Sequence, residues 1–174
     1  MTGIQYVFSE DGSRSLEQYL TGYLKGSRAH CALLMSKSGH LITQAGFTAD
    51  FNVQSISALI GGIFSSTQAL ARLVAEERFK VMYLEGGHWN VYFVLLADHF
   101  ILATLFDKST VVGLVRNAAF EAGERMEPLL AQAVVPEAAP AEPAAETPRP
   151  LPAEEPSLPD FNRAVEDALS KLFG

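Results

Sequence analysis

Residues 53–74 read VQSISALIGGIFSSTQALARLV, and their apolar side chains recur at helical spacing. Asp50 and Asn52 lie just before this stretch and offer N-caps, so the sequence predicts one long helix that runs to about Glu77. The helix is apolar on two sides. One stripe contains Val53, Ile56, Ile60, Ile63, Leu70 and Val74, and the second contains Leu59, Gly62, Ser66, Ala69 and Leu73.

The second stripe predicts a homodimer. A monomer can bury only one of the two stripes against its own sheet. Small residues permit close approach of backbones, so a copy of the same helix across a two-fold axis would cover the stripe that contains Gly62. The alternative is that Gly61 and Gly62 only allow the helix to lie close to its own sheet.

Two further helices are predicted on either side of this segment. Leu16, Leu20 and Leu24 follow a helical spacing that ends near Gly26. A last helix is expected to begin near Ser109 or Thr110 and to be weakened at its end by Pro128. Short apolar runs bounded by turn residues predict strands at residues 31–36, 40–45, 79–85, 88–96 and 100–106.

Both faces of the predicted sheet are apolar. Trp89, Val91 and Phe93 alternate with Tyr92 and Val94, so each side of this strand needs a cover. The sequence therefore predicts an α/β fold of the α+β type, with the order α-β-β-α-β-β-β-α. A five-stranded antiparallel sheet carries the long helix on one face and the first and last helices on the other.

The composition excludes several classes of function. The 174 residues are 48% hydrophobic and carry a formal net charge of −7, so we expect one globular domain without a nucleic-acid surface. No apolar run approaches the roughly 20 residues of a membrane-spanning helix. A single cysteine, Cys31, and polar residues after Met1 favour a cytoplasmic protein.

The C-terminal part has a different composition. All nine prolines lie from Pro128 onward, which divides the chain into a domain at 1–130, a linker rich in Pro, Ala and Glu at 131–157, and a segment at 158–174. The last segment predicts an amphipathic docking helix with the apolar residues Phe161, Val165, Leu169, Leu172 and Phe173. Such a short helix is marginal alone and needs a partner surface, either on another protein or on its own domain.

No pattern of catalytic, cofactor-binding or metal-binding residues is visible. Lys37-Ser38-Gly39 lacks the glycines of a phosphate-binding loop, and Gly61-Gly62 lies inside a helix. The four histidines lack the paired spacing of metal ligands. Cys31 falls in an apolar strand and is assigned to the core. We therefore expect a protein that is not an enzyme and needs no cofactor.

Three segments carry a resemblance to a known family. They are CALLMSKSGHLITQAG at 31–46, SALIGGIFSSTQALARLVAE at 57–76 and LATLFDKSTVVGLVR at 102–116. This pattern resembles the Roadblock / dynein light chain family, and within it the bacterial MglB-like GTPase regulators of cell polarity and motility. None of the three segments is a catalytic signature.

The resemblance implies a homodimer that serves as a platform for a Ras-like small GTPase of the MglA-like type. It implies promotion of GTP hydrolysis by reshaping the switch regions of the GTPase, without an arginine finger. Arg72, Arg78 and Arg116 are then expected in surface ion pairs. It also implies that the tail helix docks on the GTPase and affects nucleotide exchange. The alternatives are a passive scaffold for a GTPase or polarity complex and, with less support, a small-molecule sensor.

Overall fold

The computed structural model describes residues 4–136. Their helices and strands follow in the order β1 (Ile4–Tyr6), α1 (Glu10–Ser27), β2 (Cys31–Ser36), β3 (Leu41–Gly46), α2 (Val53–Leu73), β4 (Val81–Leu84), β5 (Asn90–Leu96), β6 (Phe100–Phe106), α3 (Val112–Ala133) and β7 (Val134–Pro136). Strands β2 to β6 form one antiparallel sheet in the order β3-β2-β6-β5-β4. The predicted fold class and the predicted order of its eight elements are confirmed.

The two faces of the sheet carry separate hydrophobic clusters. On one face α2 packs Ile60 and Phe64 against strand residues such as Phe93. On the other face α1 and α3 cover the alternate strand residues, among them Tyr92 and Leu102. Burial of each large apolar side chain stabilises the fold by about 1.5 to 3 kcal/mol. Because the strands are apolar on both faces, both faces of the sheet are covered by helices, which gives three layers.

The buried side of α2 differs from the first predicted stripe. Ser57, Ile60, Gly61, Phe64 and Ala71 are buried there, whereas Leu70 and Val74 are 50% and 54% exposed. The helix also ends at Leu73, before the expected Glu77. The turn of about 100° per residue places Phe64 at the centre of the buried side and moves Leu70 away from it.

Helix α3 begins later and continues further than expected. The predicted caps have other partners, because Ser109 donates its backbone N–H to Asp107 and Thr110 donates its hydroxyl to the carbonyl of Arg28 at 2.6 Å. Pro128 lies inside the helix. Proline removes one backbone donor, but the buried residues Leu130 and Ala133 hold the last turn against the core.

A short ribbon joins the two ends of the described chain. Strand β1 pairs with β7 in antiparallel register, and the backbone N–H of Val7 donates to the carbonyl of Ala133 at 2.9 Å. The sequence analysis did not predict these three-residue strands, since runs so short carry no periodicity. Helix and strand therefore continue to Pro136, beyond the domain end predicted at residue 130. The rest of the linker and the docking helix at 158–174 lie outside the described residues.

Among the helices of residues 4–136, none has the combined length and apolar character that a membrane span requires.

Candidate partner-binding surface on the long helix

Helix α2 is fixed in place at its N-terminus and at one point of its buried side. The side-chain oxygen of Asn52 accepts the backbone N–H of Ser55 at 3.0 Å, which confirms the predicted N-cap. Gly61 lies directly against the turn between β2 and β3. A Cβ atom on Gly61 would lie 2.8 Å from the backbone nitrogen of Gly39, so only glycine fits this contact.

The opposite side of α2 forms an exposed apolar surface. It contains the five predicted residues, named here the outer stripe: Leu59, Gly62, Ser66, Ala69 and Leu73. Leu59 is 69% exposed and Leu73 is 84% exposed, although both are large apolar side chains. A shallow groove of about 580 Å³ follows the same side and is lined by Ala58, Leu59, Gly62, Ile63, Ser66, Thr67 and Leu70.

The two adjacent glycines of α2 have different surroundings. Gly61 makes the close contact described above, which agrees with the alternative explanation for that residue. Around Gly62, no heavy atom of the described residues lies within 4 Å of the position that a Cβ would take, apart from its two chain neighbours and the adjacent backbone of α2 itself. Glycine in a helix interior costs about 1 kcal/mol relative to alanine, and no contact made by residues 4–136 accounts for this cost at Gly62.

The outer stripe can be removed from water at low cost. No charged residue occurs from Val53 to Ala71, and Arg72 is the first. The hydroxyl of Ser66 donates to the carbonyl of Gly62 at 3.1 Å, and that of Ser65 donates to the carbonyl of Gly61 at 3.0 Å. Because these hydroxyls already have acceptors within the helix, covering the stripe would leave few polar groups unsatisfied.

A second exposed apolar region was not predicted. Strand β4 is an edge strand, and Val81, Tyr83 and Leu84 are each about two-fifths exposed. An edge strand presents unpaired backbone groups that can bind another chain. The sequence identified the strand but gave no indication of its position in the sheet, which depends on long-range pairing.

The three arginines differ in their contacts. Arg78 forms ion pairs with Glu77 and with Asp98, and its hydrogen bond to Asp98 lowers the pKa of that carboxyl group below its usual range. Arg78 is therefore held at the surface by acidic partners, as predicted. Arg72 and Arg116 form no ion pair within residues 4–136.

Residues with chemical reactivity lie apart from the outer stripe. Cys31 is buried, and burial raises the pKa of its thiol to about 11, so the structure places it in the core as predicted. Within the described part of the chain, no three His, Cys, Asp or Glu side chains converge as metal ligands would. The tail residues Phe161, Val165, Leu169, Leu172 and Phe173 lie outside the described residues.

Comparison with known proteins relates this architecture to solved structures. Neither a protein-family model nor a curated protein matches the sequence. MglB from Myxococcus xanthus superimposes with a TM-score of 0.69 at 26% identity, over 74% of this chain and 97% of that chain. A structure described as "MglB with tetrameric arrangement" gives 0.69 at 23% identity, over 74% and 96% of the two chains.

A Roadblock/LC7 domain from Streptomyces avermitilis is similar as well. It superimposes with a TM-score of 0.60 at 16% identity, over 66% of this chain and 96% of that domain. The fold of residues 4–136 is thus the one that MglB and Roadblock/LC7 domains share.

Proposed function

We propose that this chain, which has the fold of MglB and of Roadblock/LC7 domains, is a homodimeric regulator of a Ras-like small GTPase of the MglA-like type. Its action would be to promote GTP hydrolysis by changing the conformation of the switch regions. The observation that supports this proposal best is the outer stripe of α2. It is apolar, exposed and free of charge, and no part of residues 4–136 covers it.

The first occupant of this surface would be a second copy of the chain. A two-fold axis would bring the outer stripes of two protomers together, and Gly62 and Ser66 would allow their backbones to approach closely. The solved structure whose description mentions a tetrameric arrangement of MglB is consistent with self-association in this fold. The dimer would then join the two α2 helices into one larger apolar platform.

The platform would act through shape and apolar contact. Helix α2 has no charge before Arg72, and Arg78 already pairs with Asp98 and Glu77. Arg72 and Arg116 form no ion pair within residues 4–136, so action without an arginine finger is the part of the proposal that comes from the resemblance to MglB-like regulators. A partner without catalytic groups can still accelerate a reaction by binding the competent conformation more tightly than the incompetent one. A tenfold shift in that equilibrium requires about 1.4 kcal/mol of differential binding.

The C-terminal segment would supply a second contact to the same GTPase. Its apolar residues Phe161, Val165, Leu169, Leu172 and Phe173 would form one face of a docking helix, and the part of the predicted linker that follows β7, at 137–157, would act as a tether. A tethered second contact raises the effective concentration of the first. Docking of this segment is also the proposed route to an effect on nucleotide exchange. The process served would be cell polarity or motility, in the cytoplasm.

A passive scaffold is the second candidate function. The same exposed surface could recruit a GTPase or a polarity complex and leave its nucleotide cycle unchanged. The outer stripe supports binding in both cases, so the two candidates differ only in the turnover of the bound GTPase.

The deciding experiment measures GTP hydrolysis by the cognate GTPase at saturating concentrations of this protein. We expect faster turnover with the wild type and no acceleration with Leu59→Asp, because a charge in the outer stripe would need to be desolvated on binding. Phe120→Asp is the matched control, since Phe120 on α3 is also 69% exposed. Unchanged turnover with a demonstrably bound wild type would refute the regulator and leave the scaffold.

A further inference from the structure

A groove of about 320 Å³ runs between helix α3 and the edge strand β4. Val94 and Leu96 line it from β5, Val81 lines it from β4, and Phe120 lines it from α3. Val94 and Leu96 pack with the hydrophobic cluster that lies beneath α1 and α3. The groove, named here the α3–β4 groove, therefore lies on the face of the sheet opposite to α2.

The packing of α3 explains why this part of the sheet is uncovered. The helix packs mainly on β5 and β6, and β4 lies beyond them at the edge. Gly123 brings the helix close to β5, because a Cβ on this residue would lie 3.1 Å from Cδ2 of Leu96. With α3 held against β5, the adjacent side of β4 extends past the helix and stays open to solvent.

Two large apolar side chains are exposed at the α3–β4 groove. Val81 is 45% exposed and Phe120 is 69% exposed, and they belong to different elements on either side of the opening. Full burial of such side chains is worth about 1.5 to 3 kcal/mol each. An apolar side chain inserted between Val81 and Phe120 would remove apolar area of both from water.

The charges of the α3–β4 groove are predominantly negative. Glu124 and Glu127 line it from α3, and Lys80 lines it from the side of β4. Within residues 4–136 neither glutamate forms an ion pair. Oε1 of Glu127 accepts the backbone N–H of Ala97 at 3.4 Å, which leaves Glu124 as the carboxylate without such a contact. Two carboxylates against one ammonium favour a positively charged occupant.

We propose that the α3–β4 groove binds a segment of a partner protein in which an apolar side chain lies next to a lysine or arginine. The apolar side chain enters between Val81 and Phe120, and the neighbouring cation pairs with Glu124. The groove and the outer stripe lie on opposite faces of the sheet, so this proposal does not depend on the function assigned to the outer stripe. One molecule could then bind a partner on each face.

A peptide titration tests the chemistry of the occupant. The probe is a short blocked peptide of alternating leucine and lysine, added to the isotope-labelled full-length protein while its amide resonances are recorded. One control peptide has glutamate in place of lysine, and the other has serine in place of leucine. We expect saturable shifts with the leucine–lysine peptide and little response to either control. Equal binding of the glutamate peptide would overturn the proposal.

Two glutamates of α3 provide a matched pair of variants. Glu124 and Glu121 are both exposed, but Glu121 lines a different cavity, between α1 and α3. Glu124→Lys should weaken binding of the leucine–lysine peptide about fivefold, and Glu121→Lys should bind it nearly as the wild type does. Undiminished binding by Glu124→Lys, or the same loss in both variants, would contradict the role of this carboxylate.

The apolar contact has its own pair of variants. Phe120→Ser removes the exposed ring at the groove and should weaken binding roughly tenfold. Phe47→Ser is the control, because Phe47 is 62% exposed in the loop after β3. Binding of Phe120→Ser at the strength of the wild type would refute the insertion beside Phe120.

The positions of the shifts in the wild type decide the case without any variant. Shifts concentrated at residues 80–81, 94–96 and 119–127 support the proposal, and shifts confined to the outer stripe overturn it. A groove already filled by a second copy of the chain or by its own residues 158–174 would give no saturable shift at these positions. That result would refute a partner segment as the occupant.

Discussion

Replacing Gly62 with leucine should separate the proposed homodimer without unfolding the protomer. Apart from its chain neighbours and the adjacent backbone of α2, no heavy atom lies within 4 Å of the position of a Cβ at this residue, so residues 4–136 leave room for the new side chain. In addition, leucine is a better helix former than glycine by roughly 0.5 to 1 kcal/mol. The protomer should thus fold at least as well as the wild type.

The leucine side chain would destabilise the proposed interface between two α2 helices. Inserting a side chain into a close-packed contact typically costs about 1 to 3 kcal/mol, and a two-fold axis repeats the insertion once in each protomer. The combined cost of about 2 to 6 kcal/mol corresponds to a rise of at least about 30-fold in the dimer dissociation constant. Sedimentation equilibrium over a range of protein concentrations measures this constant.

Two control variants distinguish an effect on the interface from an effect on the stability of the protomer. Gly22→Leu on α1 also enters open space, and its dimer should be as strong as that of the wild type. Gly61→Leu meets the backbone of Ser38 and Gly39 at 3.0 Å or less, so it should lower the free energy of unfolding. A Gly62→Leu protein with an unaltered dissociation constant would refute the interface along the outer stripe.

Three further predictions concern the tail, the pH dependence of stability and the core. Replacing Phe161, Leu169 and Phe173 with Asp should weaken association with the GTPase, measured by titration calorimetry, and leave the melting temperature of the free protein unchanged; a large drop in that temperature would contradict the docking role. Burial raises the pKa of the Cys31 thiol to about 11 from the ordinary 9.0. As the pH rises, the thiol therefore loses its proton in the unfolded chain before it does so in the folded protein. The contribution of the buried thiol to the free energy of unfolding is complete below pH 9. Between pH 9 and 11 it declines by at most about 1.4 kcal/mol per pH unit, since solvent that reaches the thiol reduces the effect. Urea unfolding of the wild type and of Cys31→Ala measures the free energy of unfolding at pH 8 and at pH 10.5. Between these two pH values the variant should lose less stability than the wild type, and an equal loss would exclude the thiol as the cause. Phe64→Ala should destabilise the protomer by about 3 to 5 kcal/mol in the same assay, because the side chain is fully buried between α2 and the sheet; a change below 1 kcal/mol would contradict that packing.

The sequence was sufficient for the elements with strong periodicity. Strand β6 and strand β2 begin and end at the predicted residues, since unbroken apolar runs bounded by polar turns define them. The side of α2 that contains Leu59 and Leu73 is exposed because it cannot face the sheet when Phe64 does, and its role as a partner surface stays a prediction. Local patterns of this kind are visible in a single sequence.

The features that the sequence did not reveal depend on contacts between distant residues. The ribbon of β1 and β7 joins Ile4 to Pro136, and the ring of His30 contacts that of Trp89 at 4.7 Å between centroids. Each member of these sets has ordinary neighbours along the chain, so no spacing rule identifies it. Thr110 is a further example of a contact between distant residues. Its hydroxyl donates to the carbonyl of Arg28, so it does not cap α3 as its position in the sequence suggested.

Gly61 and Gly62 illustrate how one helix can serve the fold and a partner at the same time. The sequence offered two explanations for the pair, and each one fits a single member: Gly61 is required by the turn at Gly39, and Gly62 faces open space. Replacing Gly61 and Gly62 with alanine, one at a time, should therefore change the free energy of unfolding in opposite directions. Gly61→Ala should lower the free energy of unfolding because its Cβ meets backbone atoms, whereas Gly62→Ala should raise it by about 0.5 to 1 kcal/mol through helix propensity. If both substitutions destabilise the protomer to the same degree, then Gly62 has an internal role and the argument for a partner on this side of α2 loses its main support.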